Sequence, residues 1–286
     1  MKKVYEYVTL DRYYADELEA ILKCENVAYN RDKYGSIVYA IDDKMPNFKK
    51  LKQISDDREE KMNGCRAGYY EYSDEELYNA KWMTMFNINE HYQPLPKNRD
   101  KLYNEVYEKL AGCQNCNSVY RQKASFRFSK PFNFRGYHAT RTMGVASIFF
   151  VDGYFKECCS KEDIKGFSID PVYAADYKTE LDNTYQFHIL NKLNFEADIK
   201  TYEEKLVCNS CGKHMYIPYS NNEPSFVYYK ESDLNECDLD VYYSLELSGV
   251  SIAFTRPMII ISNKMYRVLK DNHLDKDFKF DVIQLL

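Results

Sequence analysis

Apolar and polar positions alternate over short distances along this chain, so it divides into brief helices and strands. From Thr9 to Lys23, Leu10, Tyr14, Leu18 and Leu22 recur at helical spacing and predict a helix. The segment from Gly35 through Ile41 reads as a strand. A charged helix is predicted over Asn47 to Met62, with its run Asp56-Asp57-Arg58-Glu59-Glu60-Lys61 forming a solvated face. Ser73 and Glu76 have the spacing of a capping box ahead of a helix running through Trp82. A loop over Pro94–Pro96 precedes a helix from Asn98 to Leu110.

Further on, the pattern repeats. Phe150-Val151-Asp152 aligns with Ile260-Ile261-Ser262, each the end of an apolar strand followed by a preferred N-cap residue. Phe155, Cys158 and Cys159 then occupy the places of Met265, Val268 and Leu269 on one helix face. Ile164 matches Leu274, and after a one-residue slip Phe167/Ile169 match Phe278/Phe280. Each copy is therefore expected to be strand, helix, strand, with a longer insert in the second copy around Asn221–Asp240. The fold class is α/β in the broad sense, a mixed α+β protein. Residues 1–111 form a mixed N-terminal region, and residues 112–286 form a duplicated region.

Composition narrows the function classes. The formal net charge is −5, from 39 basic and 44 acidic residues. No Lys/Arg run offers a phosphate backbone a landing site, so nucleic acid is not the expected partner. An acidic balance favours solubility, or encounter with a basic partner. There are 28 tyrosines; tyrosine suits half-buried strands and interfaces, although an AT-rich genome gives the same bias. The longest apolar runs, Ile148–Val151 and Met258–Ile261, are far too short for a bilayer span, so no membrane is expected. Met1 to Glu6 has no apolar leader core. Together with nine cysteines this points to the reducing cytoplasm, where thiols are buried, metal-bound or catalytic.

Four of those thiols stand out. Cys113-Gln114-Asn115-Cys116-Asn117 and Cys208-Asn209-Ser210-Cys211-Gly212 are both Cys-x-x-Cys turns. Each is followed by a residue tolerant of positive φ. Cys113, Cys116, Cys208 and Cys211 are read as the four ligands of one Zn²⁺ ion that ties distant parts of the chain. His214 lies close by and is read as a neighbour of a filled shell. Four thiolates leave no position for water, so the zinc is structural and cannot activate a nucleophile.

Other candidates have simpler readings. His138 and Arg141 lie close together but lack a nucleophile or carboxylate that the sequence can place, so His138 reads as a structural histidine. Cys158 and Cys159 read as core packing, and Cys24, Cys65 and Cys237 carry no Cys–His signature. Asp170 and Asp281 are equivalent in the repeat and read as a shared turn or cap. With ten glycines there is little material for a phosphate loop.

The two Cys-x-x-Cys motifs, with Cys208–Gly212 in the full Cys-x-x-Cys-Gly form, resemble those of the double-CxxCG motif proteins. The stretch Pro257-Met258-Ile259-Ile260-Ile261-Ser262, a helix, then Phe278-Lys279-Phe280-Asp281-Val282 also resembles that family. The resemblance covers about residues 113–286 and departs at Asn117, where the family has glycine. It implies a bacterial cytoplasmic immunity protein that binds and neutralises a cognate toxin, with the four cysteines as zinc ligands and nothing catalytic. The expected partner is a protein toxin, basic in character, occluded by an acidic, tyrosine-rich face. The rivals are a hydrolytic or nucleic-acid-processing enzyme with a purely structural zinc, and a zinc-ribbon module touching nucleic acid.

Overall fold

The computed structural model describes residues 1–9, 14–32, 35–62, 65–90, 92–109, 120–142, 145–198, 200, 204–207, 209, 214–217, 226–248 and 257–286. It is a mixed α+β protein. One compact unit lies within Met1–Glu76, and a larger one comprises Leu77–Pro218 and Phe226–Leu286. The division expected after residue 111 falls inside the larger unit. No helix among the described residues is long and apolar enough to cross a membrane.

The smaller unit runs β1 (Lys2–Thr9), α1 (Ala15–Cys24), β2 (Tyr29–Arg31), β3 (Ile37–Asp42), α2 (Phe48–Met62) and β4 (Cys65–Glu71). Its sheet order is β2-β3-β1-β4, with every pair antiparallel. In β3 the alternation is complete: Ile37, Tyr39 and Ile41 are buried, and they pack with Tyr5, Tyr7, Leu18, Leu22 and Leu51. The helix expected from Thr9 starts only at Ala15, because Thr9 is the last residue of β1 and pairs with Ile37. A strand with partners on both sides gains a ladder that local helical spacing cannot match. Leu10 lies outside the described residues. In the charged run, Asp56 accepts a hydrogen bond from the Tyr7 hydroxyl (2.6 Å) as well as an ion pair from Lys52.

The capping box forms as read: Ser73 N–H donates to Glu76 Oε2 (2.8 Å), and Glu76 N–H donates to Ser73 Oγ (3.2 Å). The helix it starts, α3 (Asp74–Asn79), stops short of Trp82, which opens a strand instead.

The larger unit contains two copies of one arrangement in tandem. The first copy runs β5 (Trp82–Asn87), α4 (Arg99–Val106), β6 (Tyr107–Lys109), β7 (Tyr120–Gln122), β8 (Ala139–Thr142), β9 (Val145–Val151), α5 (Gly153–Lys161) and β10 (Phe167–Tyr173). The second opens with β11 (Glu180–Ile189), β12 (Glu204–Val207), β13 (His214–Ile217), β14 (Val227–Tyr229), α6 (Glu231–Asn235) and β15 (Val241–Tyr243). It ends with β16 (Leu247–Ser248), β17 (Ile259–Ser262), α7 (Asn263–Asp271), a 3₁₀ turn (Asp275–Asp277) and β18 (Phe278–Leu285). The helix from Asn98 is shorter than expected: Asn98 caps it, but the chain turns into β6 at Tyr107.

The strand–helix–strand duplication is present at the matched residues. Asp152 caps α5 by accepting from Phe155 N–H (3.0 Å), and Ser262 caps α7 by accepting from Met265 N–H (3.2 Å). Phe155, Cys158 and Cys159 are buried on one helix, and Met265, Val268 and Leu269 on the other. Both helices are followed by a left-handed residue, Asp163 (φ 48°) and His273 (φ 57°). The described part of the expected insert holds β14 and α6, which have no counterpart in the first copy.

The repeat extends beyond the matched residues to whole sheets. One sheet has the order β10-β11-β9-β8 and the other β14-β18-β5-β17-β15. In each, the strands before and after the helix are separated by a third, antiparallel strand, and a short strand closes the edge. Phe187 pairs with both Phe149 and Ile169; Met85 pairs with both Ile259 and Phe280. Those partners are equivalent, so β5 and β11 occupy the same place in the same register. Yet β5 belongs by sequence to the first copy and lies in the sheet of the second, while β11 does the reverse. The two copies have exchanged first strands. The smaller unit has the same order and directions, β4-β1-β3-β2, but its first strand stays at home.

Both exchanged sheets contribute to one core. Phe149, Phe155 and Phe187 from one side meet Met83, Met85, Ile261, Leu269 and Phe278 from the other. Outside that core, Phe126, Phe128, Phe132 and Phe134 pack with Phe150 of β9, and Tyr229, Leu234 and Tyr242 pack with Ile260 of β17.

Candidate functional site

The four expected zinc ligands, Cys113, Cys116, Cys208 and Cys211, all lie outside the described residues. The strands that flank them are described. β6 pairs antiparallel with β7, ending on Lys109↔Tyr120, and the segment joining these strands carries Cys113 and Cys116. β12 pairs antiparallel with β13, ending on Val207↔His214, and Cys208 and Cys211 lie in that connection. Each pair of cysteines therefore lies between two paired strands, and each connection lies between the exchanged first strand and the edge strand of its copy. His214 is the first residue of β13, opposite Val207; its side chain lies outside the described residues. Among the described residues no group of three or more His, Cys, Asp or Glu side chains is placed to hold a metal ion.

The first hairpin is tied to its sheet by paired amides. Gln122 of β7 donates to Gln186 Oε1 (2.8 Å), and Gln186 donates back to Gln122 Oε1 (2.7 Å). Gln186 belongs to the second copy and is 2 % exposed, so this bond joins the β6–β7 strand pair of one copy to the first strand of the other. Reading the sequence did not single out this pair, because two glutamines far apart carry no local signal.

His138 has a carboxylate partner that the sequence did not place. Its Nδ1 lies 2.8 Å from Asp152 Oδ2, and its ring lies 4.9 Å from that of Tyr154. Its backbone N–H and that of Ala139 both donate to Asp277 Oδ2 (2.6 and 2.7 Å). Asp240 stands at the equivalent place in the second copy. It accepts from Lys165 N–H (3.0 Å) and from the Ser262 hydroxyl (2.7 Å). The copies thus grip each other reciprocally at the two strand edges. Asp277 is fully buried, and burial pushes its carboxyl up even though two amides stabilise its charge. Arg141 does not converge on His138; it pairs with Glu90 (2.7 Å) and lies over the Phe86 ring.

The buried thiols behave as packing. Cys158 and Cys159 both lie in the shared core, and desolvation pushes the Cys159 thiol up to about 12. Cys24 is exposed and Cys237 half-buried.

Asp170 and Asp281 are equivalent, but as strand residues rather than turn or cap residues. Asp170 is opposite Gln186 on β10, and Asp281 is opposite Thr84 on β18. The alternation that identified Phe167/Ile169 and Phe278/Phe280 also carries these carboxylates along the ladder, on the opposite face. Asp170 pairs with His188 Nδ1 (3.0 Å), whereas burial pushes Asp281 up to about 6. A folded-state value above the ordinary one means that Asp281's contribution to stability is greatest in acid. That contribution is lost as pH rises from about 4 through about 6. Asp281→Asn should therefore gain stability relative to wild type across that window, read from urea unfolding at several pH values. A difference that stays flat from pH 4 to pH 8 would contradict it.

Compared with known proteins, the chain matches no family model, and no curated protein matches it significantly.

Proposed function

We propose that this protein is a zinc-binding immunity protein that neutralises a cognate bacterial toxin by occlusion. The supporting observation is the tandem duplication in which each copy carries one Cys-x-x-Cys segment between paired antiparallel strands. The resemblance to double-CxxCG motif proteins adds the reading of the four cysteines as zinc ligands and of the protein as an immunity protein. Four soft thiol donors suit Zn²⁺, and paired strand ends bring the two ends of each cysteine segment together. Cys113, Cys116, Cys208 and Cys211 would hold the ion. When bound, it would supply folding free energy and no reaction chemistry.

On this reading the toxin is met by a preorganised surface with a net charge of −5, which speeds encounter with a basic protein. Exposed aromatic side chains such as Tyr78, Phe86, Tyr154 and Tyr177 offer contact area at low entropy cost. The test is co-expression with the product of the adjacent gene. Rescue of growth and a complex that survives purification are the expected results. A neighbouring product that is not toxic, or that kills as efficiently with this protein present, would overturn the proposal.

A further inference from the structure

The exchange of first strands has a specific structural consequence. Residues 78–87 form a strap whose ladder and anchoring hydrogen bonds are with the second copy, while Arg141 of the first copy lies over the Phe86 ring. Met83 and Met85 pair with β17 and β18. Asn263 Nδ2 donates to Tyr78 O (2.9 Å) and Ala80 O (2.6 Å), and Asn263 N–H donates to Lys81 O (2.9 Å). Lys81 Nζ pairs with Glu231 Oε1 at 2.5 Å. Immediately afterwards the chain leaves for the first copy: Ile88 N–H donates to Asp277 O, but Asn89 O already accepts from Arg141 N–H of β8. The strap's partners are thus remote in sequence, and the crossing takes only a few residues.

The other exchanged strand is held differently. β11 follows β10 through a tight turn, in which Ala174 N–H donates to Thr179 O and Asp176 accepts from the backbone of Lys178 and Thr179. A hairpin partner next in sequence is almost always the chain's own. No such local tether selects the β5 that fills the gap between β17 and β18. Without a middle strand, both of those strands would expose unpaired ladder groups in a buried sheet, so the place must be filled. Any copy of the chain carries a strand of the right register to fill it.

We infer that β5 is an exchangeable strand and that the partner it fits is a second copy of this chain. In an exchanged dimer the 78–87 strap of each chain lies between β17 and β18 of the other. Every pairing made in the monomer is then made again between chains, with new structure confined to the crossing at residues 88–90. The monomer prevails in dilute solution because its own strap is present at high effective concentration. Folding at high protein concentration lets a neighbour's strap compete, and the long ladder then traps the product.

The full chain is refolded from denaturant as an equal mixture of isotopically heavy and light protein, at low and at high concentration. Monomer and dimer are separated and treated with a carbodiimide, which links Lys81 to Glu231 through their ion pair. Refolding at high concentration is expected to raise the dimer fraction several-fold, and the dimer should persist on dilution. In that dimer about half of the Lys81–Glu231 links should join a heavy to a light peptide, while monomers give only same-isotope links. Three outcomes would overturn the inference: no dimer at high concentration, a dimer that separates at once on dilution, or a dimer whose Lys81–Glu231 links are all same-isotope.

Discussion

Phe155→Ala should cost about 3–5 kcal/mol of unfolding free energy. Phe155 is the first core residue of α5 and has no exposed surface. Its ring lies 6.4 Å from Phe149 of its own copy, 5.7 Å from Phe187 on the second copy's first strand, and 6.2 Å from Phe278 on the second copy's last strand. Truncation opens a cavity where three strands of two copies meet, and none can close it without dragging a sheet. Tyr154→Ala, one residue earlier on the same helix, is the control. Tyr154 is 44 % exposed, so its loss should be well under the Phe155 cost. Urea unfolding of both variants decides the matter. A Phe155→Ala cost near that of Tyr154→Ala would mean that the copies do not share this core.

The elements legible in the sequence were those whose signal is local. Asp152 and Ser262 announce helix starts because a cap is a relation between a residue and the amide three places on. Phe155/Cys158/Cys159 and Met265/Val268/Leu269 announce a buried face because helical spacing is fixed. The duplication followed from the agreement of those two signals, and the structure has it at those residues. Errors arose where a distant partner decided the outcome. Thr9 looks helical from its neighbours but pairs with Ile37. Trp82 looks like the end of a helix but pairs with Ser262 on β17. Trp82-Met83-Thr84-Met85-Phe86 carries strand formers, yet nothing within the segment shows that it fills the sheet of another copy. The same holds for Asp277, whose partners His138 and Ala139 are remote and which has glycine, Gly166, as its equivalent in the first copy. A carboxylate that replaces a glycine across a repeat marks a contact peculiar to one side. That signal appears only once the strands are in register. The candidate zinc ligands were visible for the opposite reason: Cys-x-x-Cys is a short motif, legible without its fold.

On the proposed four-thiolate reading, Cys208→Ser should abolish the bound zinc outright rather than halve its occupancy. A tetrahedral ion that loses one of two pairs' thiolates loses a quarter of its shell and much of its charge neutralisation. Structural zinc contributes on the order of 10 kcal/mol when its site forms only in the folded chain, so the variant should also unfold at much lower denaturant. The duplication makes a second, sharper demand. Cys113 occupies the matching connection of the other copy, so Cys113→Ser should remove the same ion, and the double variant should be no worse than either single one. Two independent sites would behave differently, with each single variant keeping half of the metal and the losses adding. Cys237→Ser, a half-buried thiol beside α6, should keep the ion. Native mass spectrometry of the wild type and these four variants separates these cases by counting metal per chain. A Cys208→Ser protein that carries one zinc as the wild type does would sink the site, and with it the idea that an ion joins the two copies.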